Sequence, residues 1–408
     1  MKINSLIRII YIPALLFFFA SCHNFFDKDD EPTSEYLVTY EMTKSYTPTQ
    51  IEWAFDQYFS EYPELLNLKN KFHRGFMVYK ISYNTTFEDK NKVASGLVCF
   101  PMGEGAFPLL SYQNGTNTEH KNAPSVNPNN QLFMMLEFIS SAGFVISLPD
   151  YLGFGSSDNM FHPYLHKEST VQSITDMLRA VRELAAIRSV QLKNELYITG
   201  YSQGGWATLQ LQKAIETEHS KEFNLMASAP CAGPYDLNYI NNQIRGLSEY
   251  PMPFFLGYIC HSYSNLKEMI TPLDEIFREP YASKIPDLFN GSYSGEAINA
   301  ELTTVVPDLL TENYITNFET AEVYASLKTA LEKNSISAWN TSVPTKIIHG
   351  TSDILVPFQV SQNLHTDFLA EGSGSNVELI PLTGLGHTEG IIPSGIISIL
   401  WFVNLINN

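Results

Sequence analysis

Cysteine is scarce in this chain, with four thiols in 408 residues, and no spacing of cysteine or histidine suggests a metal site. Neither a metal nor a cofactor is expected. Basic residues are also few: 25 Lys and Arg against 43 Asp and Glu leave a formal charge of -18 and a pI near 4.9. A surface of that sign repels phosphate backbones and anionic lipid, which excludes nucleic acid as a partner. Low-complexity and repeat character are lacking too. Hydrophobic residues make up 44% of the chain, enough at this length to bury a large core as one big α/β domain with an insertion, or as two ordinary domains.

The first residues form a targeting signal. Lys2 and Arg8 supply a basic region, and residues 9–20 form an apolar core of signal-peptide length, short for a membrane span. The core ends in Phe19-Ala20-Ser21-Cys22, which resembles a bacterial lipoprotein box, with Phe19 where Leu is commoner. The resemblance implies a signal peptide over residues 1–21, lipidation of Cys22 and a membrane as partner through that anchor. Residues 22–46 then read as a flexible tether, and Lys28-Asp29-Asp30 within it is similar to the export signal of some Gram-negative outer-membrane lipoproteins. The location expected is the bacterial outer membrane, facing the periplasm or the cell surface. With Cys22 set aside, Cys99, Cys231 and Cys260 are odd in number, so at most one disulfide forms and the pair stays open.

From Phe76 onward, strand and helix patterns alternate. Residues 76–83, 92–100 and 108–113 read as strands, the early ones able to pair as a meander, and 132–142 as a helix before a strand at 144–148. Residues 169–187 carry apolar side chains at helical spacing, 195–199 form a strand, and a helix follows from Trp206. Strands at 224–229, 345–349 and 376–381 and a closing helix at 391–405 complete the series. Such alternation predicts an α/β fold, a mostly parallel sheet with helices on both faces. Residues 234–343 break the rhythm, being rich in Tyr, Phe and Pro, and read as an inserted cap between two core segments, 47–233 with an N-terminal helix and 344–408. Its run from Tyr250 to Ile259 offers apolar surface either to a substrate or to the cap's own core.

Between the strand at 195–199 and the helix from Trp206 stands Gly200-Tyr201-Ser202-Gln203-Gly204, a Gly-x-Ser-x-Gly pattern in the setting of a nucleophile elbow. Ser202 is therefore the candidate nucleophile. A serine hydroxyl needs a histidine to take its proton and a carboxylate to orient that histidine. Asp353 follows the strand Lys346-Ile347-Ile348-His349-Gly350, and His387 lies in the Gly-rich loop after the last strand, so the order Ser, acid, His is complete. His349 is the rival base, but its place inside a strand signal favours a structural role. An oxyanion hole needs two backbone N–H groups; Gln203 supplies one, and Thr116, just past Asn114-Gly115, is the first choice for the other, with Asn117 next.

The stretches Ser111-Tyr112-Gln113, Pro149-Asp150-Tyr151-Leu152-Gly153-Phe154-Gly155, His162-Pro163-Tyr164-Leu165, Gly200 to Gly205, Ser228-Ala229-Pro230 and His349-Gly350 with Asp353 resemble the secreted α/β-hydrolase lipases and esterases, which include fungal lipase A and bacterial cell-wall-degrading esterases. The resemblance implies the α/β-hydrolase fold, a cap over the site, ester hydrolysis, and Ser202, Asp353 and His387 as triad. Asn114-Gly115 replaces the His-Gly commoner at the oxyanion loop. The substrates expected are lipids, small acyl esters or esterified glycans. A serine peptidase of prolyl-oligopeptidase type and a non-enzymatic glycan-binding surface lipoprotein are the alternatives. Asp150 is expected to bond its own loop, and His162 to pack against Pro163 and Tyr164.

Overall fold

Side chains alternate between the two faces of a strand, so a strand that is apolar at every position must be covered on both sides. The central strands here are of that kind. Leu97, Cys99 and Tyr197 face one apolar layer, while Val98, Phe100, Leu196 and Ile198 face the other. In the computed structural model, which describes residues 34–58 and 69–407, these strands join one sheet. Its members are β1 (Leu37–Tyr46), β2 (Phe76–Phe87), β3 (Lys90–Pro101), β4 (Phe107–Gln113), β5 (Val145–Pro149), β6 (Leu192–Tyr201), β7 (Asn224–Cys231), β8 (Thr345–Gly350) and β9 (Val377–Leu382).

The order across the sheet is β1-β2-β3-β5-β4-β6-β7-β8-β9. From β5 to β9 neighbours run parallel, and β1, β2, β3 and β5 pair antiparallel. The core helices are α1 (Pro48–Tyr58), α2 (Gln131–Phe138), α3 (Lys167–Ile187) and α4 (Gln203–Thr217). Ile174, Leu178 and Val181 of α3 and Leu209 and Leu211 of α4 pack on one face; Ile51 and Phe55 of α1 and Phe133 and Leu136 of α2 pack on the other.

Between β7 and β8 the chain leaves the sheet for α5 (Leu237–Arg245), α6 (Phe254–Asn265), α7 (Tyr281–Leu288), α8 (Gly295–Glu301), α9 (Glu312–Asn317) and α10 (Ala325–Asn334), then returns for α11 (Phe358–Ala370) and α12 (Ile391–Asn407). Side chains start several of these short helices: Asp236 accepts from the Tyr239 amide at 2.9 Å, Ser294 from Ala297 at 3.1 Å and Thr311 from Tyr314 at 3.1 Å. Asn334 is fully buried where this cap rejoins the core. Its carbonyl accepts from Trp206 Nε1 at 2.7 Å and Gln210 Nε2 at 3.1 Å, and its Oδ1 accepts from the Lys167 amide at 2.9 Å.

Three expectations need correction. Residues 37–46 belong to a strand and not to a flexible tether: β1 lies along β2, and the amides of Glu35, Tyr36 and Leu37 donate to the Glu183 carboxylate at 2.6 to 3.1 Å. The early strands do not form a simple meander, because β3 pairs with β5, and β4 crosses to lie between β5 and β6. Helix α11 had no expected counterpart. The signal peptide, Cys22 and the first part of the tether lie outside the described residues. Among the described residues no helix is long and apolar enough to cross a membrane, and Cys99, Cys231 and Cys260 are buried free thiols.

Asn334→Ala removes the acceptor for the Lys167 amide at the seam between cap and core. The expected loss is about 1–3 kcal/mol of unfolding free energy, read from the midpoint of a urea transition. An unchanged midpoint contradicts the anchoring role.

Candidate active site

The sharp turn from β6 into α4 depends on glycine. A Cβ on Gly204 would lie 1.9 Å from the Gln113 carbonyl oxygen, and one on Gly200 would lie 2.5 Å from the same atom. No side chain fits at either position, which lets β4, the turn and α4 meet at backbone contact. Ser202 is held there at φ 58, ψ -120, a conformation that costs a non-glycine residue about 1–3 kcal/mol and persists only when the surroundings enforce it. The enforcing bonds include the Ser202 amide donating to the Cys231 carbonyl at 2.9 Å.

Ser202, Asp353 and His387, each expected from sequence, come together at the carboxyl ends of β6, β8 and β9. His387 Nε2 lies 2.9 Å from Ser202 Oγ, and His387 Nδ1 lies 2.6 Å from Asp353 Oδ2. Asp353 Oδ1 accepts from the amides of Leu355 and Val356, both at 2.9 Å. Burial alone would raise the Asp353 pKa, but hydrogen bonds from His349 and His387, the imidazole charge and the Val356 amide hold it well below the usual carboxylate range. The acid is therefore held as an anion beside His387. His349, the rival base, is fully buried in β8. Its Nε2 lies 3.1 Å from Asp353 Oδ2 and its Nδ1 2.7 Å from Ser361 Oγ, so it supports the acid and does not reach the serine.

The loops carrying acid and base are stitched together: the Thr351 amide donates to Leu382 O and the Ser352 amide to Leu385 O, both at 3.0 Å. Tyr201 adds a bond that the sequence reading missed. Its hydroxyl donates to the His387 carbonyl at 2.5 Å, with the rings 5.3 Å apart. The contact spans 186 positions, so no local spacing announces it.

The two segments that carry the expected oxyanion donors, the start of α4 and the loop after β4, are in contact. Gln203 begins α4, where amides lack intrahelical acceptors, and neither its N–H nor that of Thr116 has a protein acceptor among the described residues. A Cβ on Gly204 would sit 2.9 Å from Asn114 O, so the loop after β4 rests against the elbow. Gly115 has an ordinary φ and room for a Cβ, so the close approach rests on Gly200 and Gly204. Thr116 Oγ1 is bonded to Tyr164 Oη at 2.9 Å, and Tyr164 stacks on Tyr258 of α6 at 4.4 Å.

Two other sequence readings change. The Asp150 carboxylate accepts from Ser95 Oγ at 2.6 Å, Ser125 Oγ at 2.5 Å and the Ser125 amide at 2.8 Å, so it ties β3 to the segment after β4 in place of its own loop. Burial raises its pKa. His162 does more than pack: its Nδ1 donates to Leu152 O at 2.7 Å, which leaves Nε2 to accept from Gln203 Nε2 at 2.9 Å. Burial lowers its pKa from the ordinary 6.5 to about 4, so a neutral imidazole fixes the side chain of the residue whose amide is the oxyanion candidate. That contact spans 41 positions, and no local spacing announces it.

One group among the described residues has metal-ligand character: His166, Glu168 and Glu268 bring their donor atoms within 4.8 Å of one another. Lys333 already serves both carboxylates, 3.1 Å from Glu168 and 2.5 Å from Glu268. Burial opposes ionisation of the two acids, but bonds from His166 and Lys333 hold each down to about 2. The cluster reads as an ionic tie between α3 and the cap.

Beside Ser202 lies a narrow recess with about 50 Å³ of room for water-sized groups, walled by apolar side chains of the cap such as Leu237, Ile240, Ile244 and Leu256. The arrangement brings together a candidate nucleophile, a candidate base, a buried acid, two candidate oxyanion amides and an apolar recess.

The profile of the secretory lipase family matches residues 125–408. A search of curated proteins gives no match. Among solved structures the chain is similar to a protein from Legionella pneumophila, at 25% identity over 91% of this chain and 98% of that one, with a TM-score of 0.78. It is similar to the rice cell wall degrading esterase LipA from Xanthomonas oryzae at 24% identity, 92% and 98% coverage and a TM-score of 0.77. Candida antarctica lipase A in its closed state shares 16% identity, with 91% and 82% coverage and a TM-score of 0.66. The architecture is the α/β-hydrolase fold of these esterases and lipases.

The His162 pKa carries a stability signature. Below about 6.5 an unfolded chain binds a proton at this histidine that the folded chain refuses until about 4, so stability falls as pH drops through that window. His162→Phe should be less stable than the parent near pH 7 by about 1–3 kcal/mol, because Gln203 Nε2 loses its acceptor. The gap should narrow toward pH 4.5 in urea unfolding. A gap independent of pH contradicts the neutral buried histidine.

Proposed function

The chain belongs to the secretory lipase family, which makes it a hydrolase of esters, and from that premise we propose that it works through an acyl-enzyme on Ser202 outside the cytoplasm. The observation that carries the proposal is the unbroken line of hydrogen bonds from Ser202 Oγ through His387 to Asp353, 2.9 Å and 2.6 Å long. As Ser202 Oγ attacks the ester carbonyl carbon, its proton passes to His387 Nε2, and the imidazolium is held by the Asp353 anion at Nδ1. The carbonyl oxygen becomes an oxyanion facing the amides of Gln203 and Thr116. Collapse expels the alcohol, which takes the proton from His387 Nε2. Water then attacks the acyl carbon with His387 as base, releasing the acid and restoring Ser202.

Residues 234–343 serve in this proposal as a cap over the nucleophile, receiving the acyl group against its apolar helices. The substrates proposed are lipids, small acyl esters or esterified glycans; the cell-wall activity in the name of the Xanthomonas oryzae esterase supports the last class. For location, we propose that residues 1–21 are a signal peptide and that a lipid on Cys22 anchors the enzyme to the bacterial outer membrane, on its periplasmic or outer side. The lipoprotein-box resemblance supports this.

Ser202→Ala should reduce kcat on short-chain nitrophenyl esters by roughly 10⁴-fold or more, measured beside proline-containing peptide amides. Near-parental turnover in the variant refutes the nucleophile, and faster amide than ester cleavage by the parent refutes the esterase reading. Cys22→Ser should move the protein from the detergent phase to the soluble fraction in Triton X-114 partition of whole cells. Unchanged partition refutes the anchor.

A further inference from the structure

The cavity beside Ser202 is apolar along most of its wall, and Asn241 is a conspicuous exception. Leu237 and Ile244 lie four residues before and three after it on α5 and line the same cavity, so position 241 falls on the apolar stripe of that helix. A leucine there would complete the apolar wall but leave the Tyr314 hydroxyl without the acceptor that Asn241 Oδ1 gives it. Asn241 is 3% exposed, and only half of its amide is satisfied. Its Oδ1 accepts from the Tyr314 hydroxyl at 2.7 Å, and its Nδ2 has no hydrogen-bond partner among the described residues. With Oδ1 turned to the Tyr314 hydroxyl, the NH₂ group is the spare donor. A buried donor without an acceptor is destabilising, and a ligand that brings the acceptor recovers that loss, whereas one that brings a methylene does not.

We infer that Asn241 is a specificity-determining residue that donates a hydrogen bond from Nδ2 to a neutral oxygen within the acyl group of the ester substrate. The inference rests on the reading of Ser202 as nucleophile and adds the chemical class of the acyl group. The recess has no Lys or Arg in its wall, so a carboxylate is not the group received. An ether, keto or hydroxyl oxygen flanked by apolar carbon fits a wall of this kind. The oxygen is remote from the scissile carbonyl, whose own oxygen faces the Gln203 and Thr116 amides. Two sources offer that chemistry, an oxygenated aliphatic acyl chain and an acyl group ending in a methoxyphenyl ring.

The test uses the full-length protein and nitrophenyl esters with a constant leaving group. One arm walks a single ether oxygen along an octanoyl chain, each ester paired with the all-carbon chain of the same length. The other arm pairs methoxyphenyl-propanoyl with ethylphenyl-propanoyl. For the parent protein, kcat/KM with at least one oxygenated ester should exceed that of its all-carbon partner by about tenfold or more. In Asn241→Leu that ratio should fall to unity or reverse, and the arm in which it does so identifies the source. A parent that prefers carbon at every position overturns the inference, and so does a preference that survives in Asn241→Leu, because the oxygen is then read elsewhere. Should Asn241→Leu fail to fold, Asn241→Ala is read by the same ratio. A parent that cleaves plain acetyl and octanoyl esters but ignores the oxygen defeats this inference alone; a parent that cleaves no ester defeats the proposed function with it.

Discussion

The carboxylate of Asp353 is the group on which the rest of the site depends. Its side chain is fully buried and ionised, and an isolated charge in that position would be too costly to keep. Four donors resolve the conflict: two backbone amides on Oδ1, and His349 and His387 on Oδ2. The amides come from its own loop, His349 from the strand below and His387 from the loop after β9. One charge thus ties three segments together. His387 is aimed at Ser202 by the same bond that gives the anion one of its donors.

The strain at Ser202 is sustained in a similar way. The turn is enclosed by β4, β7 and α4 through contacts that leave no room for side chains at Gly200 and Gly204, so the serine cannot relax without opening the sheet. The oxyanion loop is fixed from the other side, by the cap. Tyr258 Oη donates to Asn117 O at 3.1 Å, Thr118 Oγ1 to Tyr293 O at 2.8 Å and the His120 amide to Gly291 O at 2.8 Å. Swinging α6 and the segment after α7 away from the core would break these bonds and disturb the loop proposed to hold the oxyanion. In that proposal the part of the cap near Thr116 belongs mechanically to the site's floor, and an opening for substrate would use other cap segments.

Much of this arrangement was legible because its candidate residues stand at strand ends. The elbow, Asp353 after β8 and His387 after β9 each sit at a junction between an apolar run and a Gly- or Pro-containing turn, which a single sequence displays. The crossing of β4 between β5 and β6 was not displayed, since strand order is decided by which helices cover which face. β1 escaped notice for a physical reason. Val38, Tyr40 and Met42 are exposed on an edge strand, so the segment lacks a buried stripe, and its anchor, Glu183, lies 146 positions beyond Leu37. The His162–Gln203 bond was hidden likewise, because a buried neutral histidine has the same local signature whether it only packs or also accepts a proton donor.

Dryness connects these observations. An apolar recess beside Ser202 keeps the local dielectric low, which in the proposed mechanism strengthens the attraction between the Asp353 anion and the imidazolium formed when His387 takes the serine proton. The same dryness raises the cost of every polar atom left unpaired, and it favours the bonds that tie His162 to Leu152 and Gln203, His349 to Ser361 and Asp353, and Thr116 to Tyr164. Not every buried polar atom is matched in this way: Gln203 Oε1 and Asn241 Nδ2 have no partner among the described residues. Of the two, Asn241 belongs to the wall of the recess, and an acyl group entering there, as proposed, can bring the acceptor that its amide lacks.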